Sequence, residues 1–270
     1  MRSLQREPSV GDLRVSNRTI AAWCIAPDRE LLDNVRGSSR QVVRKGIFAI
    51  KYGNVRPGEA RSQREAYRIL DPSIVKVPFV YRYFTRKDDD ERSGYLVMEY
   101  VPSSRPSSAY TEQDVTRVVD ILHHMHSFRR LENPGPVGGG KSDGLLWYGD
   151  NEFSNLSFHT VSDLEDYLRT RMYWRQVDLT SMELVFCHCD ISARNIIFTD
   201  DDKLCVIDWE GAGYYPLCFE YLALELTDRV TWPSLAKDVL RRLVVQSPLN
   251  DTESSLVKSM GGMRSNILSL

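Results

Sequence analysis

The chain has 270 residues, with 35 Lys and Arg against 37 Asp and Glu and a hydrophobic fraction of 42%. That length can bury a substantial core, in one large domain or in two closely packed ones. A charged fraction of 27% with ordinary glycine and proline counts excludes collagen, low-complexity disorder and disulfide scaffolds, and a net charge of −2 is too balanced for a general nucleic-acid binder. Residues 1–100 carry 19 basic and 13 acidic residues, a net of +6, whereas residues 101–270 carry 16 and 24, a net of −8. A basic front and an acidic back suggest two lobes with different tasks.

The start MRSLQREPSV has no apolar run, so no secretory signal is expected, and no stretch of 18 apolar residues is present to cross a membrane. The five cysteines, Cys24, Cys187, Cys189, Cys205 and Cys218, are odd in number and irregularly spaced. A disulfide framework is not expected, and a reducing cytoplasm suits them better. The sequons at Asn17, Asn155 and Asn250 would then be silent.

In chain order, a polar leader over 1–15 precedes a short helix from Asn17 to Ala26, stopped by Pro27. The run QVVRKGIFAIKY (41–52) reads as two strands around Gly46, and a helix follows from about Gly58 to Leu70, ended by Asp71-Pro72. PFVYRYFTR (78–86) and YLVMEYV (95–101) read as a hairpin across the polar turn KDDDERSG. This gives an N-terminal extension over 1–26 and a β-rich unit over 27–101.

Pro102 to Ser108 reads as a linker. From Thr111 to Phe128 the apolar residues Val115, Val118, Val119, Leu122 and Met125 share one helical face. After a Gly/Pro loop over Asn133 to Gly144, Ser162 and Glu165 carry a capping-box signal for a helix to about Gln176. Short strands are expected around LVFCHC, NIIF and LCVIDW, and helices near Pro216 and Pro233. This mainly helical unit spans 102–250, with a Ser-rich tail over 251–270.

The stretch VFCHCDISARNIIFTDDDKLCVIDWEGAGYYP (185–216) carries the chemistry. His188-x-Asp190 is followed five residues later by Asn195, and Asp208 ends an apolar strand. Phosphoryl transfer from a nucleotide needs one carboxylate at the acceptor hydroxyl, and an amide with a second carboxylate at the metal bridging the phosphates. A loop followed by a hairpin brings Asp190, Asn195 and Asp208 to one edge. Three oxygen ligands without a fixed cage suit magnesium, which keeps several waters.

On these residues the chain resembles the aminoglycoside phosphotransferase family, especially its short fungal members, within the protein-kinase-like fold. His188, Asp190 and Asn195 match the family's His-x-Asp-x-x-x-x-Asn, Ile207-Asp208-Trp209 its Ile-Asp-Trp/Phe, and Glu210 to Pro216 its Ala-Gly-x-x-Pro segment. GPVGGG (135–140) and SDLEDYL (162–168) resemble its fungal branch, and the similarity runs over about residues 35–230. The resemblance implies a bilobal α+β fold, with a small β-rich nucleotide-binding N-lobe and a larger, mainly helical lobe for catalysis and acceptor binding. It also implies an ATP- and Mg²⁺-dependent kinase, with GTP as the alternative nucleotide, that phosphorylates a small-molecule hydroxyl.

The roles implied are Asp190 as catalytic base, Asn195 and Asp208 as magnesium ligands, and Lys51 in FAIKYG as the grip on the phosphates. Glu65, in SQREAYRIL, is expected to pair with Lys51. Met98 would lie behind the adenine, with backbone groups of Glu99 and Val101 at its edge. Protein kinases have a G-x-G-x-x-G loop where this chain has only RGSSRQ (36–41), so Gly37, Ser38 and Ser39 are expected to offer amides and hydroxyls. No Ala-Pro-Glu landmark follows Asp208, and the next helix is expected within about ten residues. A small molecule is therefore expected as acceptor rather than a protein, and the acidic back half would favour a cationic one; neither nucleic acid nor membrane is expected as partner.

Other readings compete for the same residues. A non-catalytic, nucleotide-binding pseudokinase would fit the missing Gly-rich signature, but it leaves Lys51, Asp190, Asn195 and Asp208 unexplained. A zinc site on His123, His124 and His126, or on Cys187, His188, Cys189 and Cys205, lacks the usual ligand spacing. His188 is expected to brace the catalytic loop, Trp209, Tyr214 and Tyr215 to pack, and Asp200 to Asp202 to form a solvated hairpin tip rather than a calcium loop.

Overall fold

The computed structural model describes residues 14–33, 39–87, 93–130, 133–142, 145–147, 157–171, 178–180, 182–230 and 235–268. The N-terminal part holds α1 (Asn17–Ile25), β1 (Glu30–Asp33), β2 (Arg40–Lys45), β3 (Phe48–Gly53), α2 (Pro57–Ile69), β4 (Val80–Thr85) and β5 (Gly94–Glu99). Its strands form one antiparallel sheet in the order β1-β2-β3-β5-β4.

Strand alternation sends successive side chains to opposite faces. On β3, Ile50 joins Val43, Val97 and Phe84 against Ile20, Ala21 and Cys24 of α1. The segment expected as an extension thus contributes a helix that covers one sheet face. Ala49 faces the other way, toward Ala60 of α2, Leu96 and Met98. Lys51, two residues beyond Ala49, shares this α2 side. Gly53 ends the strand at φ +102, where a Cβ would lie 2.2 Å from the Ser39 carbonyl oxygen. That oxygen accepts from Asn54 N at 3.0 Å, so glycine here permits the close approach of Ser39, the residue before β2.

The second part continues with α3 (Glu112–His126), β6 (Arg129–Arg130), α4 (Val161–Arg171), β7 (Leu184–Cys187), β8 (Ile196–Phe198), β9 (Leu204–Val206), β10 (Gly213–Pro216), α5 (Cys218–Val230), α6 (Leu235–Gln246) and α7 (Asp251–Leu268). β7 lies between β10 and β6, and β8 and β9 form a hairpin with Asp200 to Asp202 at its tip. Val115, Val118, Val119, Leu122 and Met125 are all buried in the core, as the helical spacing of α3 predicts. α7 runs through the segment expected as a tail and buries Leu256.

α4 begins differently from the expectation. Thr160, not Ser162, is the cap: its Oγ1 accepts from Asp163 N at 3.1 Å, while Asp163 Oδ2 accepts from Thr160 N at 3.0 Å. Glu165 is buried instead, accepting from Leu179 N at 2.6 Å. Both pairs are three residues apart with suitable chemistry, and tertiary burial of Glu165 selects the earlier one. The expected turn 88–92 and the end of the helix beyond Arg171 lie outside the described residues.

Two backbone crossings tie the parts together. Lys76 N donates to Leu204 O at 2.9 Å and Val206 N to Lys76 O at 3.0 Å, while Ser104 N in the linker donates to Phe198 O at 2.7 Å. Both anchor on the β8–β9 hairpin, which carries the candidate site at its open end.

Candidate active site

β7 runs out of the core into the loop His188 to Ser192, and its four strand residues are all buried. The turn depends on Cys189 at φ +60, a left-handed conformation unusual for a residue with a Cβ. Burial of Glu220 in α5 explains how it holds. The Glu220 carboxylate accepts from His188 N at 2.6 Å and Cys189 N at 3.1 Å. His188 Nδ1 accepts from Asp190 N at 3.3 Å, which places its proton on Nε2, 3.1 Å from Ile207 O. The ring thereby bridges the loop to the residue before Asp208, the bracing position expected of His188.

Asp190 is almost fully buried. Its Oδ2 accepts from Asn195 Nδ2 at 2.8 Å, and both carboxylate oxygens lie 3.3 Å from Arg194 Nη2. Burial pushes its pKa above the ordinary aspartate value, against the pull of Arg194, and the nearby charge of Asp208 adds to the rise. Asn195 opens the hairpin, and its carbonyl accepts from Ile207 N at 3.0 Å. Asp208 follows one residue later at φ +65, a second left-handed non-glycine position. Asp190, Asn195 and Asp208 therefore gather at one end of the hairpin, as their spacing predicted.

Lys51 reaches that end from the N-lobe. Its Nζ lies 2.8 Å from Asp208 Oδ1, 2.8 Å from Glu59 Oε1 and 3.6 Å from Glu210 Oε2. Arg40, at the start of β2, pairs with Glu210. Burial would lower the Lys51 pKa, but Asp208 and Glu59 outweigh it and hold it above the usual lysine value. Burial pushes Glu59 up despite Lys51. Asp208 is held below the usual range because Lys51 overcomes its desolvation.

Glu59, not Glu65, is the partner of Lys51. Six residues on an α-helix rotate a side chain by about 240°, so the two glutamates leave α2 on different sides. Glu59 faces the sheet; Glu65 accepts from Arg68 at 2.8 and 2.9 Å and from the Tyr214 hydroxyl at 3.3 Å. Glu59→Gln is expected to lower kcat/KM for nucleotide by about 10- to 100-fold, the scale of a misplaced phosphate anchor, whereas Glu65→Gln leaves it near wild type. Steady-state kinetics on both variants check this.

Met98 is buried on the α2 side of the sheet, its Sδ 3.6 Å from Gln63 Nε2. Glu99 N already donates to Phe79 O at 2.8 Å and its side chain pairs with Lys76, so Glu99 has its carbonyl rather than its amide to offer a ligand. Val101 is buried and Ser39 is exposed just before β2, while Gly37 and Ser38 lie outside the described residues. Trp209 and Tyr215 are fully buried, with Trp209 stacked on Phe186 at 6.0 Å. The three histidines of α3 point to different partners: His124 accepts from Asp71 N, His123 meets Ser247 Oγ and His126 approaches Glu220. Sequence reasoning missed Arg40, Glu59, Arg194 and Glu220. Glu59 alone carried a signal, as an acid in the first turn of a helix beside the lysine strand.

Residues 40–248 match the model of the phosphotransferase enzyme family APH, well over half of the chain. The chain belongs to this family. No curated protein matches it. Among solved structures, it is similar to the apo form of a thermostable mutant of aminoglycoside phosphotransferase APH(4)-Ia, at 14% identity and TM-score 0.56, covering 92% of this chain and 87% of that one. A ternary complex of such a mutant with ADP and hygromycin B is similar at 13% identity and TM-score 0.55, covering 91% and 86%. At these identities the structures show the fold, which is the kinase-like α+β fold. Family and fold together make the protein a small-molecule kinase of aminoglycoside phosphotransferase type.

Proposed function

We propose that this phosphotransferase moves the γ-phosphate of ATP to a hydroxyl of a small, cationic acceptor, with Mg²⁺ as the metal. The observation that carries this reading is Lys51, bridging Glu59 of the N-lobe and Asp208 at the end of the β8–β9 hairpin at 2.8 Å each. An ammonium held between two carboxylates is positioned to donate hydrogen bonds to phosphate oxygens. The solved structures in ternary complex with hygromycin B and either ADP or AMP-PNP support a nucleotide and a small-molecule acceptor.

The metal-binding chemistry fits as well. Asn195 commits its amide nitrogen to Asp190, so the polar atom it has left is an oxygen, and Asp208 is held ionised. These two residues would hold Mg²⁺, which when bound neutralises charge on the phosphates. Asp190 would accept the proton of the attacking hydroxyl, held in place by Asn195 and by the loop anchored on Glu220. Met98, the Glu99 carbonyl and Val101 would meet the adenine, and Ser38 and Ser39 the phosphates.

Incubating the purified protein with Mg²⁺ and ATP across paired neutral and amine-bearing hydroxylated compounds tests the proposal. The expected result is a phosphate mass increase, larger for the amine-bearing member of each pair; no transfer to any compound would remove the reading. The rate also carries a pH signature. Because Asp190 is held above the ordinary aspartate value, kcat/KM should fall on acidification with an inflection above that of a free aspartate. Arg194 favours the carboxylate, so Arg194→Ala should move the inflection to higher pH.

A further inference from the structure

Behind the catalytic loop lies a second cluster that phosphoryl transfer does not use. A ring nitrogen of His126, the Cys187 thiol and a Glu220 carboxylate oxygen all lie within 4.8 Å of one another. They come from the end of α3, the end of β7 and the first turn of α5. Cys187 and Glu220 are fully buried. His126 Nε2 is buried without a hydrogen bond, 3.8 Å from Glu220 Oε2. The Cys187 thiol makes long contacts, 3.5 Å to Val185 O and 3.9 Å to Tyr215 O, and also interacts with the Cys189 thiol. A buried imidazole nitrogen left unbonded beside a thiol and a carboxylate is an under-satisfied set of donors.

We infer that His126, Cys187 and Glu220 form a binding site for a zinc-class divalent ion. One nitrogen, one sulfur and one oxygen suit a borderline-soft cation, and hard magnesium is not expected to choose a thiolate. Tetrahedral zinc bonds place donors about 3.3–3.8 Å apart, so the cluster closes around an ion through side-chain shifts of about 1 Å or less. Coordination breaks the Cys187 S–H bond, its proton passes to the buffer, and the sulfur lone pair forms the metal bond. Glu220 and His126 contribute lone pairs without losing a proton.

His126 also lines a groove of about 1020 Å³, with Arg129, Glu183, Asp251 and Glu253 along it. Glu183 is paired with Arg129, and the carboxylates of Asp251 and Glu253 would attract a cation toward His126. The ion would sit on the carboxylate that holds the amides of His188 and Cys189, directly behind Asp190.

Equilibrium dialysis of the full-length protein against Zn²⁺, with Cd²⁺ as an optical probe, tests the site without reference to kinase activity. One ion per chain is expected, with a thiolate-to-cadmium absorption band and a rise in Tm that EDTA reverses. Cys187→Ala should remove the band and weaken binding by roughly 100-fold, and His126→Asn should weaken it by at least about tenfold, the scale for losing a metal contact. Cys205→Ala, remote in β9, should retain both. Circular dichroism shows that each variant is folded, and the two ligand variants stand in for one another if either is not. Absence of stoichiometric binding to the wild-type protein, or binding untouched by loss of Cys187 or His126, overturns the inference.

Discussion

Asp190→Ala is expected to leave a folded protein with no detectable phosphoryl transfer. Loss of a general base costs roughly 10²–10⁴-fold in rate, and here the same carboxylate also orients Asn195 through the 2.8 Å bond to its Nδ2. The variant therefore removes the proposed proton acceptor and loosens a proposed magnesium ligand together, so the larger end of that range is expected. Asp190→Asn keeps a hydrogen-bonding oxygen for Asn195 and isolates the base. Its rate should still fall by at least about 10², while nucleotide binding stays close to wild type. Single-turnover rates with nucleotide binding measured in parallel make the check. Transfer by Asp190→Asn within tenfold of wild type would assign the proton to another group.

Glu220→Ala is expected to have the largest effect on stability. It removes the acceptor of two buried amides, His188 N and Cys189 N, and an unsatisfied buried donor costs about 1–3 kcal/mol. Two such donors give a loss of about 2–6 kcal/mol, visible as a lower denaturation midpoint. Activity should fall as well, because Cys189 would lose the bond that stabilises its left-handed backbone and Asp190 follows directly.

Glu220 also implies a pH dependence. Burial opposes its ionisation, yet His126, His188 and the bonded amide outweigh burial and set its pKa below the ordinary glutamate value. A carboxylate with a lower pKa folded than unfolded adds stability above its unfolded pKa and loses it as pH falls through the folded one. Glu220→Gln should therefore lower stability near neutral pH and flatten its acid dependence. Urea midpoints at several pH values read both. An acid limb as steep in Glu220→Gln as in wild type would place the titrating group elsewhere.

That Asp190, Asn195 and Asp208 come together was legible in the sequence because they are close along the chain. Asp190 and Asn195 are five residues apart on one loop, and strand pairing of Ile196 with Val206 returns Asp208 to the same end. Local geometry suffices for that. The strands around Gly46 and the apolar face of α3 were legible for the same reason, since each rests on a period of two or 3.6 residues. The partner of Lys51 was not. Glu59 and Glu65 are both acids on α2, and only the docking of that helix on the sheet decides which one faces Lys51.

By itself, then, the sequence determined which residues the proposed site is built from: Asp190 for the proposed proton transfer, Asn195 and Asp208 for the proposed metal, and the strand lysine Lys51 for the proposed phosphate grip. It also determined the basic front and acidic back, now the N-lobe with Lys51 and the helical lobe with Asp190 and Asp208. The tertiary structure alone decided which groups hold these residues in place. Glu59 anchors Lys51, Arg40 pairs with Glu210, and Glu220 fastens the catalytic loop from α5, some thirty positions downstream. The physical reason is the same in each case. A charged group leaves water only where packing brings it a partner, and packing joins residues that no local period connects.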